Sequence, residues 1–208
     1  MPTNPRKAIK NNMIIGVTGG IGSGKSTVVE FFKEWGASVV EVDKLGWKIL
    51  ESKQKEVVEE FGTEILTDGK IDRKRLGRLV FASPDNVCKF NSIVHPPLIT
   101  KLKYCLTHHL SSNLLIVDCA LIYEWKIENW FDKIILVTSS YENKMQRLLK
   151  SGYTKEEASN RIHAQLPDEV KIADWVIENN NSLQTLREKA KAVWNIGISN
   201  IKYQKYKS

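Results

Sequence analysis

Val17-Thr18-Gly19-Gly20-Ile21-Gly22-Ser23-Gly24-Lys25-Ser26-Thr27 is the stretch that decides the fold. From Gly19 to Ser26 it meets the pattern G-x-x-x-x-G-K-[ST] in full. Met13 to Val17 ahead of it is a short apolar, β-branched run, which predicts a buried strand. Val28, Phe31, Phe32 and Trp35 behind it fall at i, i+3, i+4 and i+7, and Gly36 closes that helical segment. Strand, glycine loop and helix in this order make a phosphate-binding loop. The glycines permit positive φ and let main-chain N–H groups approach an anion, and the helix adds its N-terminal dipole. Gly20, Gly22, Ser23, Gly24, Lys25, Ser26 and Thr27 are therefore the candidate nucleotide-binding residues. Lys25 supplies a point charge for the β- and γ-phosphates, and the Ser26 hydroxyl is placed to ligand Mg²⁺. ATP, or a close relative, and Mg²⁺ are the expected cofactors.

Working outward, Ala37 to Val42 reads as a second strand ending at Asp43, which completes a βαβ unit. Leu114 to Val117 ends at Asp118, Ile134 to Val137 ends at Thr138, and Trp175 to Ile177 is a last short strand. Strands alternating with helices predict an α/β P-loop NTPase or kinase fold, with a mostly parallel five-stranded sheet flanked by helices. Residues 44–110 are helical in period and polar, with turn signals at Thr67-Asp68-Gly69 and Ser83-Pro84, and read as a helical insertion rather than more sheet. Glu142 to Leu149 and a helix from Thr154 flank a Ser151-Gly152 turn, giving a lid over about 142–168. Thr154-Lys155-Glu156-Glu157 matches a capping box. Residues 182–195 form a closing amphipathic helix. One domain over 13–200 thus lies between basic tails at 1–12 and 201–208.

The chain has 208 residues, 42% hydrophobic and 26% charged, a globular balance. Its net charge of +7 suggests nucleic acid until it is located: Arg6, Lys7, Lys10, Lys202, Lys205 and Lys207 carry six of the seven charges in the tails. The body is nearly neutral, so no nucleic-acid groove is expected. No apolar run approaches the roughly 18 residues of a membrane span, and no apolar leader precedes Met13, so a cytoplasmic protein is expected. Cys88, Cys105 and Cys119 include no Cys-x-x-Cys pair and read as reduced thiols. Adjacent His108 and His109 on a helix would point apart, which argues against a metal pair. A monomer or small homo-oligomer fits this chain.

In an open α/β sheet, ligands collect at the carboxyl ends of the strands. Asp43 and Asp118 both sit there, so they share a crevice with the glycine loop. One carboxylate can accept the proton of an attacking hydroxyl while another holds the metal or its waters; the blander alternative for each is a helix cap or loop residue. Arg73, Lys74, Arg75 and Arg78 form a basic helical cluster, either a solvated face or an anchor for a phosphorylated substrate. His95 before Pro96-Pro97 reads most simply as a structural turn residue. Arg147, Lys150 and Arg161 bracket the lid turn, where arginines close over transferring phosphates or pair with Glu142 and Glu157 on the surface. Asn-Lys-x-Asp, the guanine-selecting pattern, is missing from the chain. Small size, an insertion and a lid favour a small-molecule kinase.

Together these segments resemble dephospho-CoA kinase, from about Met13 to about residue 195. That family transfers phosphate from ATP to the ribose 3′-hydroxyl of dephospho-CoA, the last step of coenzyme A synthesis. Val39-Val40-Glu41-Val42-Asp43 resembles its strand ending in Asp-x-Asp, with Glu41 replacing the first aspartate. The resemblance implies that Asp43 is the general base. Ile71-Asp72-Arg73-Lys74-Arg75-Leu76 resembles the opening of the family's CoA-binding helices, and Ile93-Val94-His95-Pro96 its His-Pro element. Arg75, His95 and Arg161 are thereby implied to contact the acceptor, together with Asp43 and Asp118. Asp118-Cys119-Ala120-Leu121-Ile122-Tyr123-Glu124 resembles the segment Asp-x-Pro-Leu-Leu-Phe-Glu, with Ala120 for proline. Gln146-Arg147 and Arg161-Ile162-His163-Ala164-Gln165 resemble the two sides of the lid, where Arg147 is implied to stabilise transferring charge. Ser151 stands where the family has a second arginine, with Lys150 as the neighbouring cation. Ala173-Asp174-Trp175-Val176-Ile177-Glu178-Asn179 resembles a segment near the adenine pocket. A kinase for a nucleoside monophosphate or shikimate, or a P-loop protein that only senses nucleotide, are the competing readings.

Overall fold

The computed structural model describes residues 4–5, 13–108 and 114–205. Arg6, Lys7, Lys10, His109 and Lys207 lie outside the described residues. Five parallel strands form the main sheet: β1 (Met13–Thr18), β2 (Ser38–Glu41), β5 (Leu114–Asp118), β6 (Lys133–Thr138) and β7 (Trp175–Glu178), in the order β2-β5-β1-β6-β7. Their near-continuous Val, Ile and Leu follow from burial on both faces, since crossover helices cover the two sides. On one face α1 (Lys25–Glu34) and α8 (Leu183–Lys205) pack Val28, Phe32, Leu186 and Trp194 against Ile15, Val17 and Ile177. On the other, α2 (Val42–Ser52) and α5 (Pro84–His108) bury Leu98, Leu102 and Leu106 against Ile14, Leu115 and Val117.

Between β2 and β5 the chain makes α2, α3 (Gln54–Phe61), α4 (Arg73–Val80) and α5. This part has its own core of Leu50, Val57, Phe61, Ile65, Leu76, Val80 and Val94. It also contains a small hairpin, β3 (Leu66–Thr67) with β4 (Lys70–Ile71), around the Thr67-Asp68-Gly69 turn expected within an otherwise helical insertion. Asp68 and Gly69 both adopt positive φ, 50° and 74°, and such a two-residue turn matches the twist of paired strands. The lid consists of α6 (Tyr141–Lys150) and α7 (Lys155–His163), and α7 opens with the Thr154–Glu157 capping box.

Three other boundaries differ from the sequence reading. β2 stops at Glu41, so Asp43 lies in the first turn of α2 rather than just past a strand. His95-Pro96-Pro97 is no turn: α5 runs unbroken through both prolines. Each proline withholds one backbone donor, yet four apolar residues of α5, Val94, Leu98, Leu102 and Leu106, are buried along it. α8 continues to Lys205, ten residues beyond the expected end, so much of the basic C-terminal tail is helical backbone. Among the described residues no helix is long and apolar enough to cross a membrane.

Leu102 is fully buried where α5 meets the sheet. Leu102→Ala should cost about 2–5 kcal/mol, read as a lowered urea midpoint with an unchanged slope.

Candidate active site

β1 delivers the chain into the glycine loop, and α1 takes over at Lys25. The residue preceding α1, Gly24, has φ 93°, and no side chain caps the helix. The first N–H groups of α1 are thus left to a ligand, the arrangement that binds anions. Gly24 is required twice, because its φ is left-handed and a Cβ there would strike the side-chain amide of Asn179. That amide donates to the Ser23 carbonyl at 2.8 Å and so holds the loop from behind. Ser23 is fully buried with its hydroxyl unpartnered, and its main-chain N–H closes a turn onto Gly20 O at 3.0 Å, so it shapes the loop. Ser26 is exposed in the first turn of α1, and Thr27 is half-buried beside it.

Arg147, expected to reach the phosphates from the lid, is placed differently. Its guanidinium donates to the carbonyls of Gly22 at 2.9 Å, Ser23 at 3.4 Å and Asn179 at 2.7 Å, and to the Ser139 hydroxyl at 3.0 Å. The planar fork is engaged by main-chain acceptors, and Arg147 ties the loop to α6 and to the end of β7. Asn179 was visible in the sequence only through resemblance, and its backing of Ser23 requires β7 to lie beside β6. Asp174, in the same segment, sits at the opposite end of β7 and accepts from Ile134 N at 2.8 Å and Lys133 Nζ at 2.6 Å. It fastens the strand starts, away from the glycine loop.

The carboxylates are aligned by strand register. Val17 of β1 pairs with Asp118, and Glu41 of β2 pairs with Asp118 from the other side. Asp118 is buried and ion-paired with Lys25. Burial pushes the Asp118 carboxyl above the usual carboxylate range, outweighing the attraction of Lys25, with Asp43 and Glu41 adding repulsion. Glu41 is held by Lys33 at 2.6 Å and Lys44 at 2.9 Å, and the hydrogen bond from Lys33 chiefly keeps its pKa low. The residue preceding α2 is Glu41, so Asp43 is not the helix cap. Its exposed side chain lines a cavity.

That cavity has a volume of about 560 Å³ and runs from Ile21 of the glycine loop, past Asp43 and Ala120, into the helices between β2 and β5. The volume falls in the usual range for small-molecule sites, roughly 300–1,000 Å³. Its walls are mostly apolar, with Arg73, Lys74, Arg78, His95 and Arg161 as polar points. Arg73 stacks over Trp47 at 3.9 Å, and Arg161 reaches from α7 to within 4.2 Å of the Phe81 ring. Arg78 meets Glu157 of the lid at 2.8 Å. Arg75 is not part of it. Asp72 caps α4 and sets its phase, which turns Arg75 back to the carbonyls of Glu64 at 3.4 Å and Leu66 at 3.2 Å. Lys150 is exposed and off the cavity wall, whereas Ser151 lines it.

His95 gains a partner the sequence did not reveal. Trp125 Nε1 donates to His95 Nδ1 at 3.0 Å, with the rings edge to face at 5.1 Å. Nδ1 is therefore the acceptor, and Nε2 carries the proton of the neutral ring. Burial pushes His95 down from 6.5 to about 4, so the ring is neutral across the physiological range. Cys119, also on the wall, is pushed up to about 12 by burial and offers no thiolate.

The family model for dephospho-CoA kinase matches residues 13–185. This chain belongs to the dephospho-CoA kinase family. Its relatives include the dephospho-CoA kinase of Fusobacterium nucleatum, 40% identical over 183 residues, with 85% of this chain and 94% of the relative covered. That of Carboxydothermus hydrogenoformans is 37% identical over 184 residues, covering 84% and 89%. A Thermus thermophilus crystal structure superposes with a TM-score of 0.72 at 35% identity, covering 89% of this chain and 98% of that one. A dephospho-CoA kinase from Campylobacter jejuni gives 0.60 at 26% identity, covering 92% and 98%. A shikimate kinase from Acinetobacter baumannii, at 14% identity and 0.54, shares the fold alone. The chain is thus a kinase of the P-loop class, and its family implies ATP as donor.

The unfolded chain binds a proton at His95 that the folded chain refuses between pH 6.5 and about 4. The stability contribution is full above pH 6.5 and falls by about 3 kcal/mol as pH drops through that window. Urea unfolding at several pH values should show this loss, and His95→Gln should flatten it. Arg147→Met removes four donated hydrogen bonds, two of them to loop carbonyls, and should weaken ATP binding by about tenfold or more, measured by calorimetric titration.

Proposed function

We propose that this chain transfers the γ-phosphoryl group of ATP to the ribose 3′-hydroxyl of dephospho-CoA, giving coenzyme A and ADP. The observation that carries this reading is the continuous cavity joining Ile21 of the glycine loop to Asp43 and to the basic wall of Arg73, Arg78 and Arg161. An acceptor with an apolar arm and a phosphorylated nucleotide end matches such walls, since arginine binds phosphate oxygens bidentately. Competing acceptors such as shikimate are small and would leave most of the 560 Å³ unfilled.

Main-chain N–H groups of the loop and the first turn of α1 cradle the phosphates, and Lys25 offers a cation at the foot of the loop. Asp43 accepts the proton of the acceptor hydroxyl as its oxygen bonds to phosphorus, while the bond from phosphorus to the β–γ bridging oxygen breaks and ADP leaves. Asp118 holds Lys25 in position from β5. Arg161 reaches across from the lid to the acceptor wall and excludes water from the cavity. Mg²⁺ fits the donor chemistry here, a Ser26 hydroxyl with the carboxylates of Asp118 at the end of β5 and Asp43 in the first turn of α2. Among the described residues no three acidic, His or Cys side chains form a metal site of their own. Ser26 would therefore hold the ion jointly with phosphate oxygens, and the ion would neutralise charge on the transferring group. A cytoplasmic enzyme of coenzyme A synthesis is the setting this activity implies.

A coupled ADP-release assay across dephospho-CoA, nucleoside monophosphates and shikimate tests the acceptor, and turnover with dephospho-CoA alone is expected. ATP binding with no transfer to any acceptor would favour a nucleotide sensor instead. Asp43→Asn should lower kcat by about a hundredfold or more with ATP affinity unchanged. Near-normal turnover in that variant would remove Asp43 as the base.

A further inference from the structure

Lys144 lies on α6 one turn before Arg147, and nothing in the sequence marks it. Its ammonium is 3.5 Å from the point where a Cβ on Gly20 would sit, and its main-chain carbonyl is 2.9 Å from the same point on Gly22. The residue therefore covers the glycine loop along its opening half. Asp168 holds Lys144 Nζ at 2.6 Å, and also accepts from the Thr138 hydroxyl at 2.8 Å and from Lys171 Nζ at 3.1 Å. The three charged side chains are only 13%, 10% and 1% exposed for Lys144, Asp168 and Lys171. Burial pushes Asp168 up, yet the hydrogen bonds from Lys144, Thr138 and Lys171 hold it below the usual carboxylate range. Two lysines share one carboxylate, so a surplus positive charge is held against the loop. Such a charge is costly to bury unless an anion comes to it.

The position of that anion is marked by Gln165. Its side-chain carbonyl accepts from Ile21 N at 2.7 Å and lies 3.4 Å from the same point on Gly20. This oxygen stands in for a phosphate oxygen at a loop N–H. Ile21 also lines the cavity that holds Asp43, so a phosphate bound at Ile21 faces the acceptor. It is accordingly the one transferred.

We propose that Lys144 is a phosphate-binding residue for the terminal phosphoryl group of ATP, that Asp168 is the positioning residue that aims it, and that Gln165 yields the Ile21 N–H when the nucleotide binds. The lid then supplies its cation from the first turns of α6, while Arg147 holds the loop's shape beneath. This assignment rests on the phosphoryl-transfer reading above.

The test compares the full-length protein with Lys144→Gln, Lys144→Arg and Asp168→Asn. Equilibrium binding of ADP and of a non-hydrolysable β,γ-imido ATP analogue is measured for each, without acceptor. Lys144→Gln should weaken the ATP analogue by about tenfold and leave ADP within about twofold, since only ATP carries the contacted group. Lys144→Arg should restore most of the preference, and Asp168→Asn should reduce it with ADP affinity intact. Equal weakening of both nucleotides, or no change in either, overturns the assignment. Should a variant prove unfolded by circular dichroism, the wild-type chain carries the test through reductive methylation followed by mass spectrometry. Stronger protection of Lys144 by the ATP analogue than by ADP supports the assignment; equal protection overturns it. Because these readouts need no acceptor, they stand apart from failure to phosphorylate dephospho-CoA.

Discussion

The parallel register of β1, β5 and β2 places Val17, Asp118 and Glu41 level with one another, and the rest of the site depends on that alignment. A parallel sheet brings all its strand ends to one edge, so the glycine loop after β1 and the carboxylates after β5 and β2 must meet. The buried pair Lys25–Asp118 is the direct consequence. Desolvation makes such a pair costly, and either partner alone would cost more. That interdependence couples the conformation of the loop to the integrity of the sheet.

The loop is also shaped from behind. Asn179, just past β7, and Arg147 of α6 bind the carbonyls of Gly22 and Ser23, which fixes the curvature of the loop, while the Ser23 N–H closes a turn onto Gly20 O at 3.0 Å. Ile21 packs into the small apolar core of the lid with Met145, Leu148 and Ala158. Lid and loop are thereby one packed unit, and the buried Lys144–Asp168–Lys171 cluster belongs to their junction. On the acceptor side the insertion has a separate core, linked to the sheet through α5. The cavity lies where these two parts face each other. It takes its charge from α4 and α7 and its apolar walls from α2, α5 and the segment after β5.

Much of this was legible in the residues. Short apolar runs marked all five strands of the main sheet, because strands buried on both faces allow little else. The G-x-x-x-x-G-K-S pattern located the loop, since few backbones need so many glycines before a lysine. The hairpin at 66–71 was missed because each strand has only two residues, too few for an alternation to show. α5 concealed itself behind Pro96 and Pro97, where tertiary burial overrides local preference.

Side-chain roles were less legible than elements. Arg73, Arg75 and Arg78 look alike in the sequence, yet the Asp72 cap turns Arg75 onto main-chain carbonyls while the other two face the cavity. His95 and Trp125 are 30 residues apart, so the tautomer their contact sets has no local signature. Arg147 was expected among phosphates and is bound to carbonyls 125 residues away in the chain. The sequence by itself determined the order of the main-sheet strands and their helices, the phosphate loop and the acids Asp43 and Asp118, because these follow from neighbours a few positions apart. Tertiary structure alone decided which cation faces a ligand and which braces the fold, because that depends on acceptors brought together only when distant segments pack.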